Sequence, residues 1–313
     1  MSDAGALPPW GLLVLDKPAG VTSHTAANRV RRLLGASRAG HAGTLDPLAS
    51  GVLLVGLGRA TRLLEYLVGH DKEYRARIRL GEVRDTLDRE GRVLEARPVP
   101  ALTPGQIEEA LARFRGALTQ VPPAHSAIKV NGAPLYRAAR RGEAVQAPPR
   151  RVEIRRLELL EWAPPDLTVT VECSKGTYIR SLARDLGEAL ATGGTLWELV
   201  RLRSGRFSLA QAVPLSVLEA EGESARSRLL PPEEMVRDLP AVALDDEALE
   251  ALTSGQAVGA AGEGPDGEVA VFGAAGELYA VARRAEGGLR PVKVFRSSEH
   301  RCLYASGACV LES

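Results

Sequence analysis

An aspartate followed by proline, in Gly43-Thr44-Leu45-Asp46-Pro47, is the most specific candidate for chemistry in the sequence. A carboxylate presented on a loop can attack as a nucleophile or remove a proton as a base. The same residues also build a plain turn, because Asp hydrogen-bonds nearby backbone and Pro fixes the residue that follows. Arg180 supplies a natural partner. It falls in the first turn of an expected helix, where a cation opposes the helix dipole and calls for a carboxylate nearby. An arginine fork can hold such a carboxylate ionised and oriented. Tyr74, on the inward face of an alternating strand, offers an apolar ring with a polar tip. His41 can be a base or a satisfied structural residue. Cys173, Cys302 and Cys309 are odd in number and widely spaced, which gives neither a zinc-ligand pattern nor a disulfide framework, so no metal site is expected.

The elements that must position these residues can be read from apolar period and turn chemistry. A strand over Gly11 to Leu15 is broken by Asp16-Lys17-Pro18-Ala19-Gly20. Ser23 can then cap a helix with Ala26, Ala27, Val30, Leu33 and Leu34 inward and Arg29, Arg31 and Arg32 outward. Arg38 and His41 follow in a loop. The stretch from Ala39 to Gly51, dense in Gly, Thr, Asp, Pro and Ser, reads as irregular up to a strand at Val52 to Leu57 and a helix at Ala60 to Val68. Lys72 to Leu80 alternates, with Tyr74, Ala76, Ile78 and Leu80 on one side.

Thr103-Pro104-Gly105-Gln106 has the cap, the early proline and the third-position glutamine that open a helix. Gln120 to Arg156 is rich in proline and arginine and reads as a basic arm or hairpin. Leu167 to Cys173 alternates as a strand. Ser174-Lys175-Gly176-Thr177 leads into a helix with Ile179, Leu182, Ala183, Leu186 and Leu190 on one face. Pro231 to Pro240 carries no apolar period and suggests a linker. Beyond it, short strands at Val269 to Phe272, Leu278 to Ala282 and Pro291 to Phe295, separated by glycine-rich turns, suggest a small barrel.

Composition bounds the class. The chain has 313 residues, 45% hydrophobic and 25% charged, so one large domain and one smaller one are expected. The apolar run at Val52 to Leu57 is far too short to cross a bilayer, and the N-terminus carries no secretory signal pattern, which makes the cytoplasm the expected location. A formal net charge of +1 does not exclude a nucleic-acid partner, because the distribution of charge matters more than its sum.

Taken together, Leu15-Asp16-Lys17-Pro18-Ala19-Gly20 and Gly40 to Leu53 resemble the signature of the bacterial tRNA pseudouridine synthases that act on uridine 55 of the T-loop. The resemblance continues through Lys72-Glu73-Tyr74, Asp85 to Gly91, Gln120 to Pro123, Ser126 to Lys129 and Cys173 to Arg180, and covers about residues 11 to 210. It implies an α+β pseudouridine-synthase fold with a central mixed, mainly antiparallel sheet flanked by helices. It also implies guide-free isomerisation of uridine to pseudouridine after base flipping. Asp46 takes the position of the family's essential aspartate and Arg180 that of the arginine paired with it. Tyr74 matches the tyrosine that stacks on the base, Tyr178 and Leu199 match pocket residues, and His41 matches the histidine that supports the flipped-out RNA. His125 stands where the family usually has a tyrosine.

An isomerisation of this sort needs no cofactor, and none is expected. The partner implied is the T-arm of tRNA, with no membrane, no obligatory protein partner and a monomeric enzyme. Candidates for its phosphates are Lys17, Arg29, Arg32, Arg38, Lys129, Arg137, Arg140 and Arg141. Leu239 to Phe295 resembles the small RNA-binding barrel called the PUA domain. The expected division is therefore a catalytic domain over 1–235 with a basic arm at about 120–156, a PUA-like domain over 239–297, and a tail over 298–313 to which no role is given.

Overall fold

A computed structural model describes residues 9–126, 129–130, 133–135, 141, 147–259, 264–285 and 287–295. Its centre is a ten-stranded mixed sheet. The strands run in the order Val213–Pro214, Gly11–Lys17, Ser50–Leu57, Gly194–Ser204, Lys72–Leu80, Asp166–Cys173, Arg150–Ala163 and Gly116–Gln120. Two short strands add to it: Ala39–Ala42 pairs with Ser50–Leu57, and Phe207–Ser208 with Gly194–Ser204. Pairing is parallel between Ser50–Leu57 and Gly194–Ser204 and between Gly11–Lys17 and Val213–Pro214, and antiparallel elsewhere.

Alternation decides which layer each strand residue joins. In the first strand Leu13 and Leu15 enter a core with Ala26, Ala27 and Val30 of the helix Ser23–Leu33 and with Leu182 and Leu186 of the helix Ile179–Ala189. Leu12 and Val14 enter a second core on the other face. That second core holds Trp10, Leu54 and Leu67 from the large sheet unit and Met235, Leu278, Val281 and Phe295 from the C-terminal part. The strand Lys72–Leu80 is buried at Tyr74, Ala76, Ile78 and Leu80, as its sequence alternation requires. The helix Pro104–Ala112 carries the full capping box of Thr103 and Gln106 and buries Ile107 and Leu111.

The C-terminal residues form a four-stranded sheet of Ala241–Ala243, Gly267–Phe272, Leu278–Ala285 and Gly288–Val294, with the helix Asp246–Thr253 packed through Leu249 and Leu252. The stretch expected as a linker is docked instead. Pro232, Met235 and Val236 are buried, and the Glu233 carboxylate accepts a hydrogen bond from the Leu278 amide at 2.9 Å. Apolar side chains spaced for a short 3-10 turn, Pro232–Met235, gave no longer period to read.

Several other expectations are corrected. Ala39 to Gly51 is not irregular throughout: Ala39–Ala42 is a strand, and the next strand starts at Ser50. Gly58–Leu63 is a 3-10 turn, with a helix only at Glu65–Val68. The basic arm has a regular base, since Gly116–Gln120 pairs antiparallel with Arg150–Ala163 in the sheet. Arginines on the exposed side of that strand, alternating with buried Val152, Ile154 and Leu157, gave it its arm-like composition. The strand Gly194–Ser204, with no counterpart in the pattern reading, occupies the middle of the sheet.

Candidate active site

Asp46 lines a cleft of about 790 Å³, on the loop between the strands Ala39–Ala42 and Ser50–Leu57. The loop is tied down at several points. Thr22, not Ser23, caps the first helix by accepting from the Thr25 amide. This frees the buried Ser23 hydroxyl to donate to the Leu45 carbonyl at 2.9 Å and to accept from the Leu45 amide at 2.8 Å. The Gly20 amide donates to the Pro47 carbonyl at 2.7 Å. Both anchors come from the segment around the first helix, so the carboxylate is held to a rigid element even though it sits on a loop.

Arg180 is buried and its guanidinium meets Asp46 at two points. Nε sits 2.9 Å from Oδ2, and Nη2 donates to Oδ1 at 3.2 Å. The two terminal nitrogens reach further acceptors: Nη1 donates to the Thr86 carbonyl at 3.0 Å and Nη2 to the His125 carbonyl at 2.9 Å, while Asp88 Oδ2 is 3.5 Å from Nη1. Acceptors from three separate segments hold the guanidinium, which in turn fixes the carboxylate's orientation. Burial pushes the Asp46 carboxyl above the usual carboxylate range, against the pull of Arg180 and Lys17, and Asp88 pushes the same way as burial.

Tyr74, Tyr178, Arg180 and Leu199 line this one cleft with Asp46, although they come from a strand, a helix cap, a helix and another strand. Burial raises both tyrosine hydroxyls above their ordinary value; Arg201 opposes it at Tyr74 and Arg150 at Tyr178. The Arg150 guanidinium stands 5.5 Å from the Tyr178 ring centre. At His125 the backbone acts, through the carbonyl that Arg180 binds, and the imidazole lines the cleft.

His41 is not among the cleft-lining residues. It sits on the strand Ala39–Ala42 opposite Val55, and burial, Arg201 and His24 all hold its imidazole below its ordinary value.

The phosphate candidates divide. Lys17 is in the interior: its ammonium donates to the carbonyls of Pro18 at 2.8 Å and Val21 at 2.6 Å, and burial lowers it to about 8. A lysine spent on backbone inside the core is not a surface ligand, which corrects that assignment. Arg29, Arg32 and Arg38 are exposed, Arg29 standing 3.8 Å from Glu219. Arg38 lines a hollow of about 660 Å³ with Arg59, Arg62, Thr253 and Val294. Lys129 falls in the short strand Lys129–Val130, Arg141 is exposed, and Arg137 and Arg140 lie outside the described residues. Sequence reasoning passed over Arg150, Arg151 and Lys175 as ligands, yet they line the cleft itself. It also missed buried Lys72, Asp88 and Arg201. Asp88 lay inside a quoted motif, and alternation along Lys72–Leu80 already put Lys72 on the face of Tyr74.

Three family descriptions match the chain: "TruB family pseudouridylate synthase (N terminal domain)" over residues 31–179, "tRNA pseudouridylate synthase B C-terminal domain" over 180–237, and "Pseudouridine synthase II TruB, C-terminal" over 240–295. The tRNA pseudouridine synthase B of Synechococcus sp. (strain WH7803) is 43% identical over 92% of this chain and 98% of its own length. The chain belongs to the TruB family of pseudouridine synthases. The tRNA pseudouridine synthase B of Symbiobacterium thermophilum is 49% identical over 79% of this chain and 82% of that protein.

Among solved structures, the archaeal box H/ACA sRNP Nop10-Cbf5 complex superposes with a TM-score of 0.68 at 28% identity over 94% of both chains. An H/ACA RNP bound to a substrate RNA containing 2'-deoxyuridine gives 0.68 at 26% identity, over 94% of this chain and 92% of that one. This TruB-family protein is thus an isomerase with the pseudouridine-synthase fold, and its likeness to relatives runs through both the large sheet and the C-terminal sheet. No helix among the described residues is long and apolar enough to cross a membrane.

Proposed function

We propose that the protein isomerises uridine 55 in the T-loop of tRNA to pseudouridine, without a guide RNA, with Asp46 as the catalytic carboxylate. The observation that carries this reading is the two-point Arg180–Asp46 pair in the lining of a cleft that also holds Tyr74, Tyr178 and Leu199.

The reaction breaks the bond from ribose C1′ to uracil N1, turns the ring and joins C1′ to C5. The C5 proton leaves and N1 regains one, so atoms balance without any co-reactant. A target base stacked in a folded loop must first be extruded, at a cost of a few kcal/mol that stacking and edge contacts offset. Tyr74 and Leu199 give the flipped base an apolar wall, which lets a detached uracil rotate without escaping. The Asp46 carboxylate then acts on the nucleoside as nucleophile at sugar or base, or as a base on the ribose. Tyr74 takes the C5 proton at the end. His41, outside the cleft lining, would act on the RNA around the flipped base.

Arg150, Arg151 and Lys175 at the cleft, with the exposed Arg29, Arg32 and Arg38, would neutralise phosphates. In this reading residues 1–235 form the catalytic domain, with its arm at about 120–156. The segment 239–297 is a PUA-like RNA-binding domain, and the enzyme works as a cytoplasmic monomer.

Purified protein given C5-tritiated tRNA should release tritium, and Asp46→Asn should lose that release by several orders of magnitude, as for other catalytic nucleophiles. Undiminished release would remove Asp46 from the chemistry. A second reading, an enzyme that depends on a guide RNA and protein partners, is favoured by the likeness in fold to proteins of H/ACA complexes. Conversion of a bare T-arm hairpin by the isolated chain would exclude it.

A further inference from the structure

Arg201 is one of the two largest fully buried side chains in the protein, with 1% of its surface exposed. Among the described residues no carboxylate stands within ion-pair distance of it, in contrast to Arg180. A guanidinium taken out of water without a counter-ion is costly, so its neutral acceptors are informative. Nε donates to the Val52 carbonyl at 2.6 Å and Nη2 to the Gly43 carbonyl at 3.0 Å. Those two carbonyls bracket the loop that carries Asp46. The loop exit is also pressed onto the Arg201 backbone: Gly51 has φ +99°, and a Cβ there would meet the Arg201 carbonyl oxygen at 2.2 Å. Only glycine closes that contact.

Tyr74 is the cross-strand partner of Arg201, both side chains line the cleft, and the guanidinium's charge acts on the Tyr74 hydroxyl. Three charged or titratable groups on other elements face that hydroxyl. Cys173, on the neighbouring strand, and Asp46, on the loop, both oppose a phenolate, and Arg201 favours one. Lys72, on the strand of Tyr74, adds a further cation beside Arg201.

We propose that Arg201 is a positioning residue for the isomerisation, fixing both ends of the Asp46 loop and placing its charge beside the Tyr74 oxygen, where it favours the phenolate that accepts the C5 proton. This rests on the reading of Tyr74 as the final base. In that step the C5–H bond breaks, its electron pair forms the C5–C6 double bond, the C6–N1 π pair moves onto N1, which takes a proton from water, and the C5 proton passes to the Tyr74 phenolate. The phenol so formed returns the proton to solvent before the next turnover.

The test is single-turnover tritium release from C5-labelled tRNA across pH, with wild type, Arg201→Gln, Arg201→Lys and Tyr74→Phe. Arg201→Gln should be slower by about a hundredfold near neutrality, the scale of disabling a general base. Its deficit should shrink as pH rises, its C5 isotope effect should grow, and its affinity for tRNA should stay unchanged. Arg201→Lys, which keeps the charge and loses the fork, should keep the wild-type pH limb at a reduced rate. A deficit equal at every pH with an unchanged isotope effect would overturn the proposal, as would no deficit. If Arg201→Gln does not fold, Arg201→Lys decides: a displaced limb or an unaltered rate counts against it. Wild-type release by Tyr74→Phe would instead overturn the base reading of Tyr74, and with it the Tyr74 half of the proposal.

Discussion

The cleft and the seam beneath the C-terminal sheet are built on opposite principles. The lining of the cleft contains buried cations, namely Lys72, Arg180 and Arg201, with buried Asp88 3.5 Å from Arg180 and buried Lys17 at the foot of the first strand. The seam is apolar at its centre, where Trp10 and Phe295 stack with ring centres 5.8 Å apart among Leu12, Leu54, Met235 and Leu278. Its polar contacts lie at the edge, such as Arg62 to the Val294 carbonyl at 3.0 Å and Lys293 to the Tyr66 hydroxyl at 2.9 Å. Apolar burial of this kind stabilises the fold, whereas each ion in the cleft is retained at a cost in stability. The seam holds the molecule together, and the cleft spends part of that stability on orientation.

Beyond the loss of Asp46 itself, the largest effect should come from Arg180→Met. It strands Asp46 and Asp88, so tritium release should fall by about 10²- to 10³-fold, the scale of removing a fixed charge from a reacting site. Unfolding free energy should drop by about 3 kcal/mol in a denaturant titration, as when one member of a buried pair is deleted. Phe295→Ala should do the reverse. It leaves the cleft intact, so single-turnover rates on bound T-arm hairpin should stay near wild type, while stability falls by about 3 kcal/mol from the cavity in the seam. A large rate defect in Phe295→Ala would show that the two regions are coupled and would break the contrast.

The smallest effect is a pH slope. Burial lowers the Lys72 ammonium to about 8, while in the unfolded chain it returns to its ordinary value. Between those values the unfolded state binds more protons, so the Lys72 contribution to stability rises with pH from about 8 toward 10.5. Wild type should therefore gain stability relative to Lys72→Met over that interval in paired unfolding titrations. A parallel pair of curves would place the Lys72 charge in water instead.

The same contrast explains what the sequence could and could not reveal. Lys72–Leu80 was legible because only one of its faces is buried, and the cap of Pro104–Ala112 because its chemistry is local. Gly194–Ser204 was not. Two register shifts interrupt its alternation, between Leu196 and Glu198 and between Arg201 and Arg203, and it lies in mid-sheet. Arg201 went with it, since an arginine in an unread strand looks like surface. Of the site, Asp46, Tyr74 and Arg180 stood out by residue type and position, and Tyr178 and Leu199 came only through family resemblance. Lys17 was misread because a lysine after an aspartate in a turn gives no sign that its ammonium is consumed by two carbonyls.

The root of the arm has a mechanical consequence. The Gln120 side chain donates to the Tyr178 carbonyl at 3.0 Å and accepts from the Tyr178 amide at 2.7 Å. Ser181 and Arg184 both donate to the Val121 carbonyl, and Arg180 to that of His125. Five hydrogen bonds from this one helix start therefore rivet residues 120–125 to the element that aims Arg180 at Asp46. A tug on that stretch cannot be absorbed locally, because the fork gripping its last carbonyl also grips the carboxylate. Arm root and carboxylate are thus tied through a single side chain.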